Sequence, residues 1–480
     1  MPDANTELAW TPAHQLREMI ANREISPVEI TQTALDRIGK FNDQLNAYLA
    51  VIPEEALETA RAAEQAVMDG DDLGLLHGVP TSIKDLEPMK GVRFTSGSLI
   101  YTDRIADEDS LSVTRIKDAG AVILGKTNTS EYGHIGTNEN RLGDACRNPW
   151  NTERTSGASS GGAGSSVAAG ITPLAQGSDG AGSIRIPAGL CGVYGIKATQ
   201  GRVPRYSTGI DSWHWFNYSN VGPLARDVTD AATMLQVLAG PHPDAEHLTI
   251  QEDPPDYIAS LGRGVKGLRI AYSPDLGGVA VDPEVRDVVG KAAQSFEEMG
   301  AIVEEPGFKI DSPEAMFDLL LTIWRCRTFS TNGHLLEQRE LLTDYLRDGL
   351  EGGQKVTGEE LWDAYSRLEF YRHYVQEFFE GYDLLLTPTL ATPAFKVGEH
   401  PNLIGGQSVP DKLWGFTPFT YPFNMCGNPA ATAPAGFSSD GLPIGLHIVG
   451  RWGDEETVLA ASKAFEDARP WADKKPAGFE

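Results

Sequence analysis

The chain is short of cationic residues, of paired cysteines and of long apolar runs, and each shortage closes off a class of function. Lys and Arg number 40 against 67 Asp and Glu in 480 residues, a formal net charge of −27. Such a surface repels phosphate backbones and anionic lipid, so neither nucleic acid nor a membrane is expected as a partner. The four cysteines, Cys146, Cys191, Cys326 and Cys426, are widely spread and include no CxxC pair. In a chain of this length they read as reduced, mostly buried thiols of a cytoplasmic protein. No apolar stretch approaches the roughly 18 residues needed to span a bilayer. Met1 to Trp10 is polar and acidic, without a basic n-region or an apolar h-region. Internal repeats, low-complexity tracts and linkers are absent as well. His242, Glu246 and His247 lack HExxH spacing and stand near prolines, so no metal is expected there.

Glycine, in contrast, is plentiful at 51 residues, set among apolar runs, which suggests tight turns and close backbone approaches rather than disorder. The periodicity predicts helices over 12–22, 27–40 and 53–69. Thr11-Pro12 and Ser26-Pro27 each place an N-cap before a proline, and Ser26 and Glu29 have capping-box spacing. Strands are expected at Val79–Ile83, 121–124, Leu190–Ile196 and Asp383–Leu386, and 171–176 is an apolar run. A helix is expected over Asp109–Ala119, and residues 151–166 read as a Ser/Gly-rich loop. Gly267–Tyr272, Pro283–Met299 and Ala301–Glu304 form a βαβ-like unit, and 313–330 and 358–380 read as helices. Ala430–Phe437 and Ile444–Val449 flank an Asp440-Gly441 hairpin turn. The alternation predicts an α/β class. One domain over 1–480 is expected, with a peripheral lobe within about 200–330 over the site.

Two glycine-rich loops carry the chemistry. Gly157-Ala158-Ser159-Ser160-Gly161-Gly162 is followed by Ser178-Asp179-Gly180-Ala181-Gly182-Ser183-Ile184-Arg185-Ile186-Pro187. Each presents a serine, and the backbone N–H groups before Ser183 can form a nest for a developing oxyanion. A serine hydroxyl needs a base before it attacks. None of the ten histidines sits in these loops. Lys84 is the alternative, at the end of the strand-like segment Leu76 to Asp85. At an ordinary pKa only about 0.04% of a lysine is neutral at pH 7. Burial and neighbouring positive charge would be needed to lower that pKa.

Residues 157–188 resemble the signature of the amidase signature family, and Lys84 falls in a segment similar to that family's lysine motif. Ser159 and Ser183 stand at the family's serine–serine interval of twenty-four residues. The run Asn428-Pro429-Ala430 through Gly445-Leu446 is similar too, so the resemblance covers roughly residues 10–470, with its core at about 77–200. It implies a large central mixed β-sheet covered by helices on both faces. It further implies Ser183 as nucleophile, Ser159 as a bridging serine entered through a cis bond from Ala158, and Lys84 as general base and later acid. The N–H groups of Gly180, Ala181, Gly182 and Ser183 would form the oxyanion hole, with Asp179 and Arg185 bracing the loop. Many relatives carry Gly-Gly where this chain has Ala181-Gly182, so the hole requires a negative φ at Ala181. No metal or cofactor is needed.

Substrate choice is carried by less distinctive residues. The aromatic run at 213–218, with Trp324 and Trp414, points to an apolar pocket for aryl or alkyl groups. Tyr132, Trp213, His214 and Phe216 are its candidate lining residues. The expected partner is therefore a small aryl or alkyl amide, with carbamates (urethanes) and esters as neighbouring chemistries. A homodimer is compatible with the sequence. Two other functions compete. A glutaminase-type A subunit of a tRNA-dependent amidotransferase has the same fold and triad. An α/β-hydrolase esterase would use Ser159 within G-x-S-x-G and require a late histidine such as His447.

Overall fold

The computed structural model describes residues 4–205 and 218–480. Its early helices follow directly from the pattern of apolar residues. In Pro27–Leu45 the buried positions Ile30, Ala34, Ile38, Phe41 and Leu45 recur every three or four residues and form one face. Ser26 caps this helix by accepting from Val28 N at 3.0 Å, rather than through a capping box with Glu29. The preceding helix begins at Ala13, and Thr11 does not cap it. Its first N–H groups, those of Ala13 and His14, donate instead to the Asp230 carboxylate at 2.6 and 2.9 Å. Helix Pro53–Asp69 matches its predicted span.

Eight strands form the main sheet, in the spatial order Ile302–Glu304, Arg269–Tyr272, Leu384–Pro388, Pro443–Gly450, Ala430–Phe437, Tyr194–Lys197, Asn220–Ala225 and Leu174–Asp179. The first three run parallel and the remaining pairings are antiparallel, so the sheet is mixed. Helices flank it, as expected for the α/β class. Arg185–Cys191, Pro283–Glu298 and Glu455–Ala468 all pack against the Ala430–Phe437 and Pro443–Gly450 hairpin. The stretch 200–330 contributes three of these strands. Among the described residues no helix is long and apolar enough to cross a membrane.

A separate three-stranded sheet has the order Tyr48–Val51, Val122–Thr127, Pro80–Lys84. Pro80–Lys84 runs parallel to Val122–Thr127, with Lys84 opposite Thr127, and all five of its residues are buried. It lies against the edge strand Leu174–Asp179 of the large sheet, where Lys84 N donates to Gln176 Oε1 at 2.9 Å. This contact delivers Lys84 to the start of the second glycine-rich loop.

Two segments differ from the expectation. Residues 151–166 are not a loop: Asn151–Thr155 is a strand paired with Arg147–Asn148, and Gly161–Ala168 is a wholly buried helix. The sequence GGAGSSVA has weak helix propensity. It is helical because the backbone packs tightly, a Cβ on Gly162 overlapping the backbone of Ala47 and Asn128. Leu190–Ile196 is not one strand either. A helix runs over Arg185–Cys191, ends at Gly192 in the left-handed region (φ 68°), and only then does the strand Tyr194–Lys197 begin. A buried apolar run reads alike as strand or helix, and here tertiary packing decides.

Candidate active site

Lys84 is fully buried, and its amine is surrounded by hydroxyls. Nζ stands 2.7 Å from Ser159 Oγ, 2.9 Å from Ser160 Oγ and 3.1 Å from Ser178 Oγ, with the Ser178 carbonyl at 3.2 Å. Burial pushes its pKa well below the ordinary lysine value. Asp179 opposes that shift, Arg205 adds to it, and Glu87 opposes it. The amine is therefore shifted toward the neutral, proton-accepting form.

The two serine loops are stitched together around it. The Ala158–Ser159 peptide bond is cis. Ser160 N donates to the Ser183 carbonyl at 3.1 Å, and Ser160 Oγ both donates to Ser178 O and accepts from Ser178 N, each at 3.1 Å. Ser159, Ser178, Gly180 and Ser183 share the wall of one cavity of about 610 Å³. Among the described residues, Ser183 Oγ has no hydrogen-bond partner, which leaves it open to the cavity. Such contacts often tighten only once substrate is bound.

The loop before Ser183 is held by a buried ion pair. Asp179 accepts from Arg185 Nε at 2.9 Å and Nη2 at 3.0 Å, and both side chains are fully buried. Burial works against ionisation of Asp179, but the Arg185 charge and the hydrogen bonds from Arg185 and Asn424 override it, holding the carboxyl below the usual carboxylate range. Asn424 Nδ2 donates to Asp179 Oδ1 at 2.8 Å, Arg185 Nη1 donates to the Thr420 carbonyl at 3.0 Å, and Thr420 Oγ1 donates to the Ala181 carbonyl at 2.7 Å. One member of the expected oxyanion hole departs from its role. The Gly182 N–H donates to Asp179 Oδ1 at 2.7 Å and is committed to bracing the loop. The N–H groups of Gly180, Ala181 and Ser183 have no acceptor among the described residues. Ala181 is not among the non-glycine residues with positive φ, whereas Gly182 has φ 125°.

Around the cavity the walls mix aromatic and charged groups. Tyr132, Trp324 and His134 line it, together with Arg205, Glu87 and Arg327. Trp324 Nε1 donates to His134 Nδ1 at 3.2 Å, and burial, with Arg325 and Arg327 beside it, pushes His134 down to about 4. Its ring is neutral at pH 7. Trp414 is not on this wall; it packs edge-on against Trp324, with ring centroids 6.0 Å apart. Trp213, His214 and Phe216 lie outside the described residues. His447 is far from serving Ser159: its buried Nε2 is 2.9 Å from Arg185 Nη1 and its Nδ1 is 3.3 Å from Thr387 Oγ1. G-x-S-x-G does follow a strand here, but that strand belongs to the two-stranded Arg147–Thr155 hairpin and not to the central sheet.

Sequence reasoning missed Gln176, Ser160 and Ser178 as the holders of Lys84, although both serines stand beside the motif residues. It also missed Asn424 and Thr420, some 240 positions from the residues they support, and the Arg205–Glu87 pair (2.8 Å) on the cavity wall.

Comparison with known proteins agrees over nearly the whole length. The family model described as Amidase matches residues 29–459. An acylamidase of Rhodococcus erythropolis is 38% identical over 485 residues, covering 98% of each chain. The A subunit of the Moorella thermoacetica glutamyl-tRNA(Gln) amidotransferase is 36% identical, covering 98% of this chain and 99% of its own. Among solved structures, a bacterial aryl acylamidase of the amidase signature enzymes superposes with a TM-score of 0.90 at 32% identity, over 96% of this chain and 97% of that one. A 6-aminohexanoate cyclic dimer hydrolase complexed with substrate does so with a TM-score of 0.87 at 30% identity, over 98% and 100%.

Proposed function

The chain belongs to the amidase signature family of hydrolases acting on carbon–nitrogen bonds, and from that premise we propose that it cleaves a small aryl or alkyl amide through an acyl-enzyme on Ser183. The observation that carries this mechanism is the buried Lys84 amine, 2.7 Å from Ser159 Oγ, with Ser183 on the same cavity wall.

Neutral Lys84 accepts a proton through Ser159 as Ser183 Oγ attacks the carbonyl carbon. Ser160 and Ser178 orient the amine so that its lone pair meets Ser159. The oxyanion is received by the free N–H groups of Gly180, Ala181 and Ser183. The proton then returns through Ser159 to the leaving nitrogen, the C–N bond breaks, and water hydrolyses the ester to regenerate Ser183. Asp179, Arg185, Asn424 and the Gly182 N–H are positioning groups that keep the loop in shape. The whole chain, 1–480, acts as one catalytic unit.

The substrate class is supported by likeness to the acylamidase and the aryl acylamidase, and by Tyr132 and Trp324 on the cavity wall. A cavity of about 610 Å³ suits a small molecule. Anilides and short alkyl amides tested on the lone chain should release free amine. Activity confined to glutamine, and appearing only when the other components of an amidotransferase are added, would instead favour the likeness to the amidotransferase.

A further inference from the structure

Away from the serine loops, the N-terminal end of helix Val228–Leu238 meets the start of helix Ala13–Ala21 at a cluster of metal-ligating side chains. His14 Nδ1 lies 2.7 Å from Asp230 Oδ1 and 4.0 Å from Asp227 Oδ1, and one donor atom from each of the three residues falls within 4.8 Å of the others. We propose that His14, Asp227 and Asp230 bind one divalent transition-metal ion of the Zn²⁺ or Mn²⁺ kind, which clips the two helices together.

Distances and donor chemistry both support the site. With metal–donor bonds of about 2.1 Å, the donors of a tetrahedral site stand about 3.4 Å apart. The present spacings of 2.7 Å, a hydrogen bond, and 4.0 Å bracket that value, so each must change by about 0.6–0.7 Å when an ion enters. One imidazole nitrogen with two carboxylates suits borderline divalent ions better than Ca²⁺ or Mg²⁺, which favour all-oxygen shells.

A second observation points to a missing partner. Asp227 is 8% exposed, and its Oδ2 is buried with no hydrogen-bond partner among the described residues. Its other oxygen, Oδ1, accepts from Asp230 N at 2.8 Å. Asp230 is fully buried, its oxygens already oriented by the N–H groups of Ala13 and His14. Arg226 donates to the carbonyls of Thr172 and Thr11, and Glu466 adds a further carboxylate, itself 3.3 Å from Lys463. The His14 side chain is 37% exposed, which gives an ion a way in.

The test uses the untagged full-length protein after EDTA treatment. Zn²⁺ and Mn²⁺ are titrated by calorimetry at pH 7, bound metal is counted by mass spectrometry after desalting, and Tm is recorded. Mg²⁺ serves as the hard-ion control. The expected result is about one Zn²⁺ or Mn²⁺ per chain, a raised Tm, and affinity at least about tenfold weaker in both His14→Gln and Asp227→Asn. Gln keeps a donor for Asp230, and Asn keeps an acceptor for the Asp230 N–H, so both variants preserve the helix caps. Absence of uptake by the wild-type protein overturns the proposal. So does uptake that His14→Gln leaves unchanged, or Mg²⁺ binding as tight as Zn²⁺.

Discussion

Replacing Lys84 with methionine separates the chemistry of this residue from its place in the fold. Methionine matches the lysine stem in length and flexibility but offers no lone pair to Ser159. A positioned general base contributes about 10²- to 10⁴-fold, equivalent to about 3–5 kcal/mol of barrier. Lys84→Met should therefore lower kcat/KM for an anilide by at least about 100-fold. An activated aryl ester should suffer less, because its leaving group departs without a proton. The pH dependence follows from the direction of the pKa shift. The base works only when neutral, so the wild-type rate rises with pH through the lowered Lys84 pKa and then levels off. In Lys84→Met that rise should vanish. The substitution should affect stability in the opposite sense to activity. The folded pKa lies below the unfolded one, so between them the unfolded chain binds more protons and stability climbs with pH. At neutral pH the buried lysine thus costs about 1.4 kcal/mol per pH unit of depression. Ser160 and Ser178 still bond each other when the amine is gone, and Ser159 lies on the cavity wall. The variant should therefore be at least as stable as the wild-type protein. Activity within about tenfold of wild type, or an unchanged pH–rate profile, would refute the base assignment.

Three further perturbations probe the supports. Arg185→Met strands the buried Asp179 carboxylate and should cost about 3–5 kcal/mol in urea unfolding; a loss under about 1 kcal/mol would mean the pair does not hold the loop. Gly182→Ala places a Cβ on the Thr420 hydroxyl at a residue with φ 125°, displacing the loop that presents the Gly180, Ala181 and Ser183 N–H groups, and should lower kcat/KM on the order of 100-fold; near-normal kinetics would show that the loop tolerates it. Lys197 is fully buried, with its Nζ donating to the Ala198 carbonyl at 2.8 Å, and burial pushes it down to about 7. Between pH 7 and its unfolded value near ~10.4 the unfolded state holds the extra proton, so wild-type stability rises with pH across that window. Lys197→Met should raise Tm most at pH 7 and flatten this rise, and a lowered Tm would contradict it.

The residues proposed for chemistry were legible because they lie in short local patterns. Ser159 and Ser183 sit in glycine-rich loops at a distinctive interval, and Lys84 ends an apolar β-branched segment. Their surroundings were not legible. Nothing in the order of the chain says that Gln176 holds the Lys84 backbone or that Asn424 reaches Asp179, because those contacts exist only once the two sheets have packed. The same applies to Asp230, which caps a helix more than 200 residues earlier, where Thr11 looked like the cap. Gly161–Ala168 hid as a loop because its composition disfavours a helix that only close packing makes stable. Leu190–Ile196 divided into helix and strand at Gly192, a boundary its apolar pattern did not mark. The hairpin Ala430–Phe437 with Pro443–Gly450 was read correctly, since alternation and an Asp-Gly turn are both local signals.

The most direct measurement is to trap the nucleophile. The purified wild-type chain is incubated with a small fluorophosphonate, digested and mapped by peptide mass spectrometry, alongside Lys84→Met. A single adduct on Ser183, formed far more slowly in Lys84→Met, is the predicted result. An adduct on Ser159 in place of Ser183, or equal labelling rates in the two proteins, would contradict the proposed mechanism.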